Sequence, residues 1–189
     1  PFRAPHHTIS DVGLVGGGQS PRPGEISLAH QGVLFLDELP EFRKNVLEAL
    51  RQPLESGHIT ITRSAYKAVY PANFMLVTAM NPCPCGYWGD PRKSCRCSAQ
   101  QIRQYQSRIS GPLMDRIDLH IEVPSVQYRD LVQSSPQESS ARIKESILNA
   151  TARQNSRFCQ GKTHFNARMS DWQIKQFCKI DDPSQKLLE

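Results

Sequence analysis

The sequence contains no hydrophobic run long enough to cross a membrane and no amino-terminal leader pattern. The apolar runs Val33–Leu36 and Phe74–Val77 have the length of a β-strand, whereas a membrane helix needs about 20 residues. The first residues, Pro1–His7, lack the apolar central region of a secretory signal. We therefore expect a cytoplasmic protein with no membrane partner.

A phosphate-binding loop is also missing from the sequence. The glycine run Gly16–Gly18 is not followed by Gly-Lys-Ser or Gly-Lys-Thr, so we interpret it as a flexible turn. The sequence begins without methionine and ends within a predicted helix at Ser184–Glu189. These two features indicate a fragment of a longer protein.

The composition is that of a folded domain with an excess of positive charge. Of the 189 residues, 38% are hydrophobic, which is enough for a buried core in one domain or in a domain with a small satellite. The net charge of +5 favours an anionic partner such as nucleic acid, although the basic residues are not grouped in blocks.

Four of the six cysteines are close together in the sequence, at Cys83, Cys85, Cys95 and Cys97. In a cytoplasmic protein such a cluster favours metal binding over disulfides. Two close pairs of thiolates supply the four ligands of tetrahedral Zn²⁺, and four sulfur ligands leave no open position, so this zinc would be structural. The Cys-x-Cys spacing is shorter than the usual Cys-x-x-Cys, and reduced thiols or one oxidised pair are the alternatives.

The segment Gly32–Glu38 predicts a strand that carries two acids at its carboxyl end. Four consecutive apolar residues, Val33–Leu36, indicate a strand buried on both faces of a sheet. In open α/β sheets, ligands bind at the carboxyl ends of the strands. Asp37 is suited to hold Mg²⁺ there, directly or through water, and Glu38 to polarise an attacking water in nucleotide hydrolysis. The alternative is a core strand that continues into a helix, since acids also favour a helix start.

The segments that follow predict a parallel α/β unit. A helix is predicted over Pro40–Glu55 and ends at Gly57, and two β-rich runs after it form a hairpin. These runs are His58–Arg63 and Lys67–Tyr70. The next apolar strand, Phe74–Met80, ends at Asn81. A strand, a helix and a second apolar strand predict a right-handed parallel connection with the hairpin inserted in it.

Short elements are predicted between the cysteines and Pro124. Gln100–Ile109 and Leu113–Arg116 have the composition of helices, separated by Ser-Gly-Pro. The strict alternation of Ile117–Val123 predicts a strand, which Pro124 ends. We therefore expect the α/β core to occupy residues 1–124.

The remaining residues, 125–189, predict a second, smaller domain that is helical throughout. One helix is expected over Ser139–Arg153 and another over Ser170–Ile180, where Ser170 is suited to cap the first turn. The apolar residues of the first helix are expected to face inward; they are Ile143, Ile147, Leu148 and Ala150.

Five stretches of the sequence together resemble the AAA+ ATPases, and within them the magnesium chelatase-like ComM/YifB family. They are Pro1–Ser10, Pro23–Phe42, Leu50–Gly57, Ala79–Tyr87 and Ser110–Pro124. As a set they are highly specific, and they cover most of residues 1–124. The resemblance implies an AAA+ P-loop NTPase core, with a parallel sheet flanked by helices, followed by the start of an α-helical lid domain.

The resemblance also implies a role for four residues. Asp37 and Glu38 match the Walker B pair of the family, and Asn81 matches sensor 1, the polar group that orients the attacking water. Arg116 matches the arginine finger, which acts on the nucleotide of a neighbouring subunit. A planar, permanently charged donor suits that position, because negative charge accumulates on the transferred phosphoryl group.

For two of these residues a structural alternative remains open. Arg116 is also placed to form a surface ion pair with Asp115 or Asp118. Asn81 precedes a proline at the end of a strand, where asparagine is a common turn residue.

The predicted hairpin matches the pre-sensor-1 β-hairpin of the family, which points into the central pore of related rings. Arg63, Tyr66 and Lys67 flank its tip, and this combination of basic and aromatic residues suits contact with a nucleic-acid backbone. The alternative is a charged turn exposed to solvent.

The function implied by the resemblance is ATP- and Mg²⁺-dependent remodelling of DNA. We expect the full-length protein to form a hexameric ring and to act as a branch-migration helicase in recombination during natural transformation. The alternatives are a chelatase-type motor that remodels a protein partner for metal insertion and a non-hydrolysing, zinc-stabilised interaction module. In the family the Walker A loop lies upstream of Pro1 and the sensor 2 arginine beyond Glu189. This fragment alone is therefore expected to be inactive and to bind ATP weakly or not at all.

Overall fold

The computed structural model describes residues 1–18, 21–63, 66–126, 138–158 and 165–188. The chain divides into two compact units, Pro1–Ser125 and Val126–Glu189. Each unit has its own secondary structure, and the first contains all the described strands.

The first unit contains seven strands and six short helices among its described residues. The strands are β1 (Phe2–Arg3), β2 (Gly16–Gly17), β3 (Arg22–Pro23), β4 (Val33–Leu36), β5 (His58–Arg63), β6 (Tyr66–Pro71) and β7 (Met75–Thr78). The helices are α1 (Asp11–Val15), α2 (Glu25–Leu28), α3 (Lys44–Glu48), α4 (Arg51–Ser56), α5 (Ala99–Gln106) and α6 (Gly111–Met114). The helices predicted before and after Ser-Gly-Pro correspond to α5 and α6.

A parallel sheet in the order β1-β4-β7 forms the centre of the first unit. In β4, Val33 is opposite Met75 and Leu36 is opposite Thr78, so β4 and β7 end side by side. The predicted parallel connection between these two strands is confirmed. The prediction of a mixed α/β fold is confirmed with it.

Strand β4 is fully buried on one face only, which corrects the prediction of burial on both faces. Leu34 and Leu36 are inaccessible to solvent, whereas Val33 and Phe35 are partly exposed. The buried pair belongs to a core cluster with residues of the surrounding helices, including Val46. On the other face, Phe35 stacks on the ring of Phe2 with centroids 6.3 Å apart, and the Phe35 side chain remains partly exposed to solvent.

The helix predicted over Pro40–Glu55 is broken into a 3₁₀ turn (Leu39–Glu41), α3 and α4. Extended backbone at Phe42 and Arg43 separates the turn from α3. The second break follows from Pro53, which has no N–H to donate to the carbonyl four residues earlier. The predicted end at Gly57 is confirmed, because this residue has φ of +69° and its N–H donates to the Pro53 carbonyl at 2.9 Å.

The predicted hairpin is confirmed as the antiparallel pair β5–β6, which forms a two-stranded sheet of its own. Its register runs from His58 opposite Pro71 to Arg63 opposite Tyr66. The hairpin lies in the chain between α4 and β7, as the sequence predicts.

The strand predicted over Ile117–Val123 is absent from the described structure, where this segment has no regular backbone hydrogen bonding. Leu119, Ile121 and Val123 are each at least 80% exposed. A strand needs a neighbour that accepts and donates its backbone hydrogen bonds, and no described strand lies beside this segment. The alternating pattern alone is therefore insufficient to form it here.

The second unit contains α7 (Ser140–Arg157), a 3₁₀ turn (Asn166–Arg168), α8 (Asp171–Phe177) and α9 (Asp182–Leu188). The predicted cap is confirmed, because Ser170 and Gln173 form a capping box. The predicted inward position of Ile143, Ile147 and Leu148 is wrong, because these side chains are 45–59% exposed. None of the described helices of the chain combines the length and the apolar character that crossing a membrane requires.

Candidate functional site

The carboxyl ends of β4 and β7 bring together three residues that we call the strand-end site: Asp37, Glu38 and Asn81. Two backbone hydrogen bonds hold the strands together beyond their last register pair. The N–H of Ala79 donates to the Leu36 carbonyl at 3.0 Å, and the N–H of Leu39 donates to the Ala79 carbonyl at 3.0 Å. The two acids and the asparagine therefore lie at the same edge of the sheet and are exposed to solvent.

Glu38 has an unusual backbone conformation, with φ of +52° and ψ of +48°. This left-handed region is uncommon for residues other than glycine, and strained backbone of this kind clusters at functional sites. The Glu38 N–H donates to Asp37 Oδ1 at 2.9 Å, and the Glu38 carbonyl accepts from the Glu41 N–H at 2.8 Å. The sharp turn presents the Glu38 carboxylate to solvent, with 53% of the side chain exposed.

His7 contacts the strand-end site, and the sequence analysis missed it. Its Nδ1 lies 3.2 Å from Glu38 Oε2. The His7 ring packs edge-on against Phe42, with centroids 6.3 Å apart, and lies 4.0 Å from the His6 ring. His7 reaches the site because His6 and His7 follow a short strand, β1, which pairs with β4.

A buried tyrosine lies beside the backbone of Asn81. Tyr105 on α5 is 6% exposed, and its hydroxyl faces the Asn81 backbone. Burial raises the pKa of Tyr105, and the negative charge of Glu41 adds to the effect. Nearby, Arg108 donates to the Pro40 carbonyl at 3.1 Å and to Glu41 at 2.9 Å. The segment formed by α5 and the two residues after it therefore lies against both strand ends.

Arg116 is largely buried and engaged within its own unit. Its guanidinium pairs with Glu55 and donates to the Pro112 carbonyl, while its Nε is buried and has no hydrogen-bond partner. The described ion pair of Arg116 is with Glu55 and not with Asp115 or Asp118, the partners that the sequence offered as the alternative. The structure places Arg116 against α4 and α6, and its side chain makes none of the described contacts with the acids of the strand-end site.

The four clustered cysteines converge in space. Their sulfur atoms all lie within 4.8 Å of one another, and the thiols are free. Cys83 is buried, and the other three are partly buried. Backbone N–H groups of Tyr87 and Arg96 donate to Cys85 and lower the pKa of its thiol to about 6. This set of donors is able to hold a metal ion.

The described structure covers the hairpin tip only in part. Arg63 and Tyr66 form the last register pair before the tip, and their side chains lie outside the described residues. Lys67 is opposite Thr62 and its side chain is exposed.

Comparison with known proteins gives the family. A family model described as "Magnesium chelatase, subunit ChlI" matches residues 1–131, and one described as "Magnesium chelatase, subunit ChlI C-terminal" matches residues 137–189. The chain belongs to the magnesium chelatase ChlI family. The resemblance found in the sequence is thereby confirmed.

Among curated relatives of the family, the chain is similar to competence protein ComM of Haemophilus influenzae and YifB of Escherichia coli. The identities are 50% and 46%, each over 100% of this chain and 36% of the relative. Magnesium-chelatase subunit ChlI of Euglena gracilis is 24% identical over 65% of this chain and 32% of that protein. The chain thus spans about a third of the length of the relatives it matches.

A solved structure of NtrX from Brucella abortus in complex with ADP is a more distant neighbour. It is 16% identical, covers 66% of this chain and 25% of that protein, and has a TM-score of 0.43. This likeness is too weak to support a conclusion about function.

Proposed function

We propose that this chain supplies the catalytic edge of an ATP-hydrolysing, DNA-remodelling motor that works in the cytoplasm. The observation that supports the proposal best is the strand-end site, where Asp37, Glu38 and Asn81 meet at the carboxyl ends of two parallel strands. Ligands of open α/β sheets bind at this position.

The residues of the site fit the chemistry of phosphoryl transfer to water. Carboxylate oxygens are ligands that Mg²⁺ accepts, and Asp37 would hold the ion directly or through water. When bound, Mg²⁺ neutralises charge on the phosphates. The Glu38 carboxylate is 53% exposed with one oxygen facing His7, and it would accept a hydrogen bond from the attacking water, which the Asn81 amide would orient.

Arg116 would complete the site of a neighbouring subunit, which requires a ring, and we propose a hexamer. The guanidinium is already oriented by Pro112 and Glu55. To act as an arginine finger it would exchange Glu55 for the phosphoryl oxygens of the neighbour's nucleotide. The complete phosphate-cradling motif Gly-x-x-x-x-Gly-Lys-Ser/Thr is absent from these 189 residues, because the Gly-Lys-Thr at 161–163 has Ser156 where the motif requires its first glycine. The chain alone would therefore bind ATP weakly or not at all.

DNA is the proposed target because of the net charge of +5 and the basic residues beside the hairpin tip. Lys67 is exposed there and is suited to contact a phosphate backbone. The similarity to a protein named for competence supports a role with incoming DNA, and branch migration during its recombination is the activity we propose. The second candidate, supported by the similarity to a magnesium-chelatase subunit, is a motor that remodels a protein partner for metal insertion. A non-hydrolysing interaction module is the third, and the strand-end site argues against it.

The test is ATP hydrolysis by the full-length protein, with and without branched or single-stranded DNA, beside the variant Glu38→Gln. We expect Glu38→Gln to lower kcat about 10²- to 10⁴-fold, because the amide is a poor base for the attacking water. Glu145→Gln, which removes an exposed acid of α7, is the matched control and should leave kcat unchanged.

Three outcomes separate the candidates. Stimulation by DNA that is lost in Lys67→Glu supports the DNA motor. Hydrolysis that is indifferent to DNA supports the protein-remodelling motor, and hydrolysis that survives Glu38→Gln contradicts the assignment of the strand-end site.

A further inference from the structure

The segment from Asn81 to Tyr105 forms a loop that leaves the strand-end site and returns to it. It begins at Asn81, passes through the four cysteines and continues into α5. Gln106 at the far end of the loop donates to the Pro82 carbonyl at 3.4 Å, and the neighbouring Tyr105 lies beside the Asn81 backbone. Whatever holds this loop together therefore also holds Asn81.

The distances between three of the sulfur atoms match a tetrahedral metal site. Cys83 Sγ lies 3.4 Å from Cys85 Sγ and 3.7 Å from Cys95 Sγ, and the Cys85–Cys95 distance is 3.6 Å. In a tetrahedron with Zn–S bonds of about 2.3 Å, neighbouring sulfurs lie about 3.8 Å apart. A disulfide would bring two of them to about 2.05 Å. The sulfur of Cys97 lies within 4.8 Å of the other three, close enough to supply the fourth ligand.

The backbone explains how the short Cys-x-Cys spacing serves such a site. The Gly86 N–H donates to the Cys83 carbonyl at 3.0 Å in a tight turn, and Gly86 has φ of +81°, which favours glycine. This turn directs Cys83 and Cys85 toward one point.

A backbone N–H group also contacts the sulfur cluster. The Cys97 N–H donates to Cys95 Sγ at 3.4 Å. Such a donor orients and stabilises a thiolate that ligates a metal ion. The fold forms this contact already.

We propose that Cys83, Cys85, Cys95 and Cys97 bind one structural Zn²⁺ and that this ion holds Asn81 in place at the strand-end site. The ion takes no part in hydrolysis, because four sulfur ligands leave it no open position. It fixes the start of the loop through Cys83 and the start of α5 through Cys97, which directly precedes the helix cap Ser98. The zinc site itself does not depend on the proposed function. Only the role assigned to Asn81 rests on the proposed function.

The first test is the zinc content of the full-length protein measured by mass spectrometry of the metal. The double variant Cys95→Ser/Cys97→Ser should contain about one zinc per chain less than the unsubstituted protein. Cys178→Ser is the matched control, because Cys178 is an exposed free thiol of the second unit, and it should retain all the zinc. Equal zinc content in the double variant and the unsubstituted protein overturns the site.

The second test uses the unsubstituted protein, so that it does not depend on whether a variant folds. Zinc is removed with a chelator and restored, and backbone hydrogen exchange is followed by mass spectrometry. We expect removal to increase exchange in peptides covering residues 79–106, to leave the β5–β6 hairpin unchanged, and to be reversed by zinc. Unchanged exchange around Asn81 overturns its coupling to the ion. Neither test measures hydrolysis, so failure of the proposed function would not be mistaken for failure of the zinc site.

Discussion

The two units differ in where their apolar residues lie. In the first unit, Pro1–Ser125, residues such as Leu34, Leu36 and Leu113 are inaccessible to solvent and belong to one core. In the second unit, Phe158 is the only described apolar side chain that is fully buried, and it packs edge-on against Phe177 with centroids 5.9 Å apart. The second unit therefore has capped helices whose apolar faces are mostly exposed, and burying these faces requires partners.

The comparison extends to the charged groups. The first unit contains the ion pair of Arg3 with Glu25, made by two bonds of 2.6 Å, and the enclosed Arg116. In the second unit Arg142 lies 3.7 Å from Glu138 on an exposed helix surface. We expect charge substitutions to matter in the first unit and to have little effect in the second, because solvent screens exposed pairs.

The largest effect is expected for Arg116→Ala in the full-length protein. Loss of an arginine finger lowers kcat about 10³- to 10⁵-fold. Arg153→Ala, which removes an exposed arginine of α7, should leave kcat unchanged. Steady-state ATP hydrolysis measures both variants.

A purely structural role for Arg116 predicts a different result. In that case Glu55→Gln, which breaks the same ion pair but keeps the arginine, would impair hydrolysis as much as Arg116→Ala does. If Arg116 is a finger, Glu55→Gln keeps most of the activity.

An intermediate effect is expected for leucines in the two units. Leu34→Ala should lower the free energy of unfolding by about 2–5 kcal/mol, because it opens a cavity in the core. Leu148→Ala should change it by less than about 0.5 kcal/mol, because 58% of the Leu148 side chain is already exposed. Urea denaturation of each variant provides the measurement. Equal losses would show that Leu148 is buried in the full-length protein. The difference between the units would then arise because the second unit lacks here the surface that covers Leu148.

The smallest effect is expected for Glu25→Gln. The hydrogen bond from Arg3 lowers the pKa of Glu25, so the folded state favours the ionised carboxylate. The resulting stability is fully present above the unfolded pKa of about 4.3 and is lost as the pH falls through the lower folded value. At pH 7 we expect Glu25→Gln to lower the melting temperature by about 1–3 °C.

The acid dependence distinguishes this pair from a neutral contact. The difference between Glu25→Gln and the unsubstituted protein should shrink as the pH falls below the unfolded pKa of about 4.3, and it should level off below the lowered folded pKa, where Glu25 is protonated and as uncharged as glutamine. Glu138→Gln in the second unit is the control and should leave the melting temperature unchanged across the same range. A constant difference between the Glu25 variant and the unsubstituted protein would contradict the electrostatic explanation.

Local features were predictable because neighbouring residues decide them. The hairpin, the end of α4 at Gly57 and the cap of α8 at Ser170 each depend on turn or capping chemistry within a few residues. The pairing of β4 with β7 was predictable from the order of elements, since strands joined by a helical crossover are usually parallel.

The incorrect predictions have distant causes. Ile117–Val123 has the pattern of a strand, but its hydrogen-bonding partner would have to come from elsewhere in the protein. Ile147 has helical spacing, but the surface that would cover it is not supplied by the described residues. A sequence pattern states which residues favour burial and says nothing about whether a partner is present.

Residue identity and spacing were enough to give the family, the residue types at the strand-end site and a cluster of four thiols that is able to hold a metal ion. The fold was needed to bring His7 to Glu38, Arg116 to Glu55 and the four sulfur atoms to one point. Cys83 and Cys95 are 12 positions apart in the sequence, and Glu55 and Arg116 are 61 apart. Contacts between such distant residues depend on the packing of the sheet and of the surrounding helices, which no short stretch of sequence encodes.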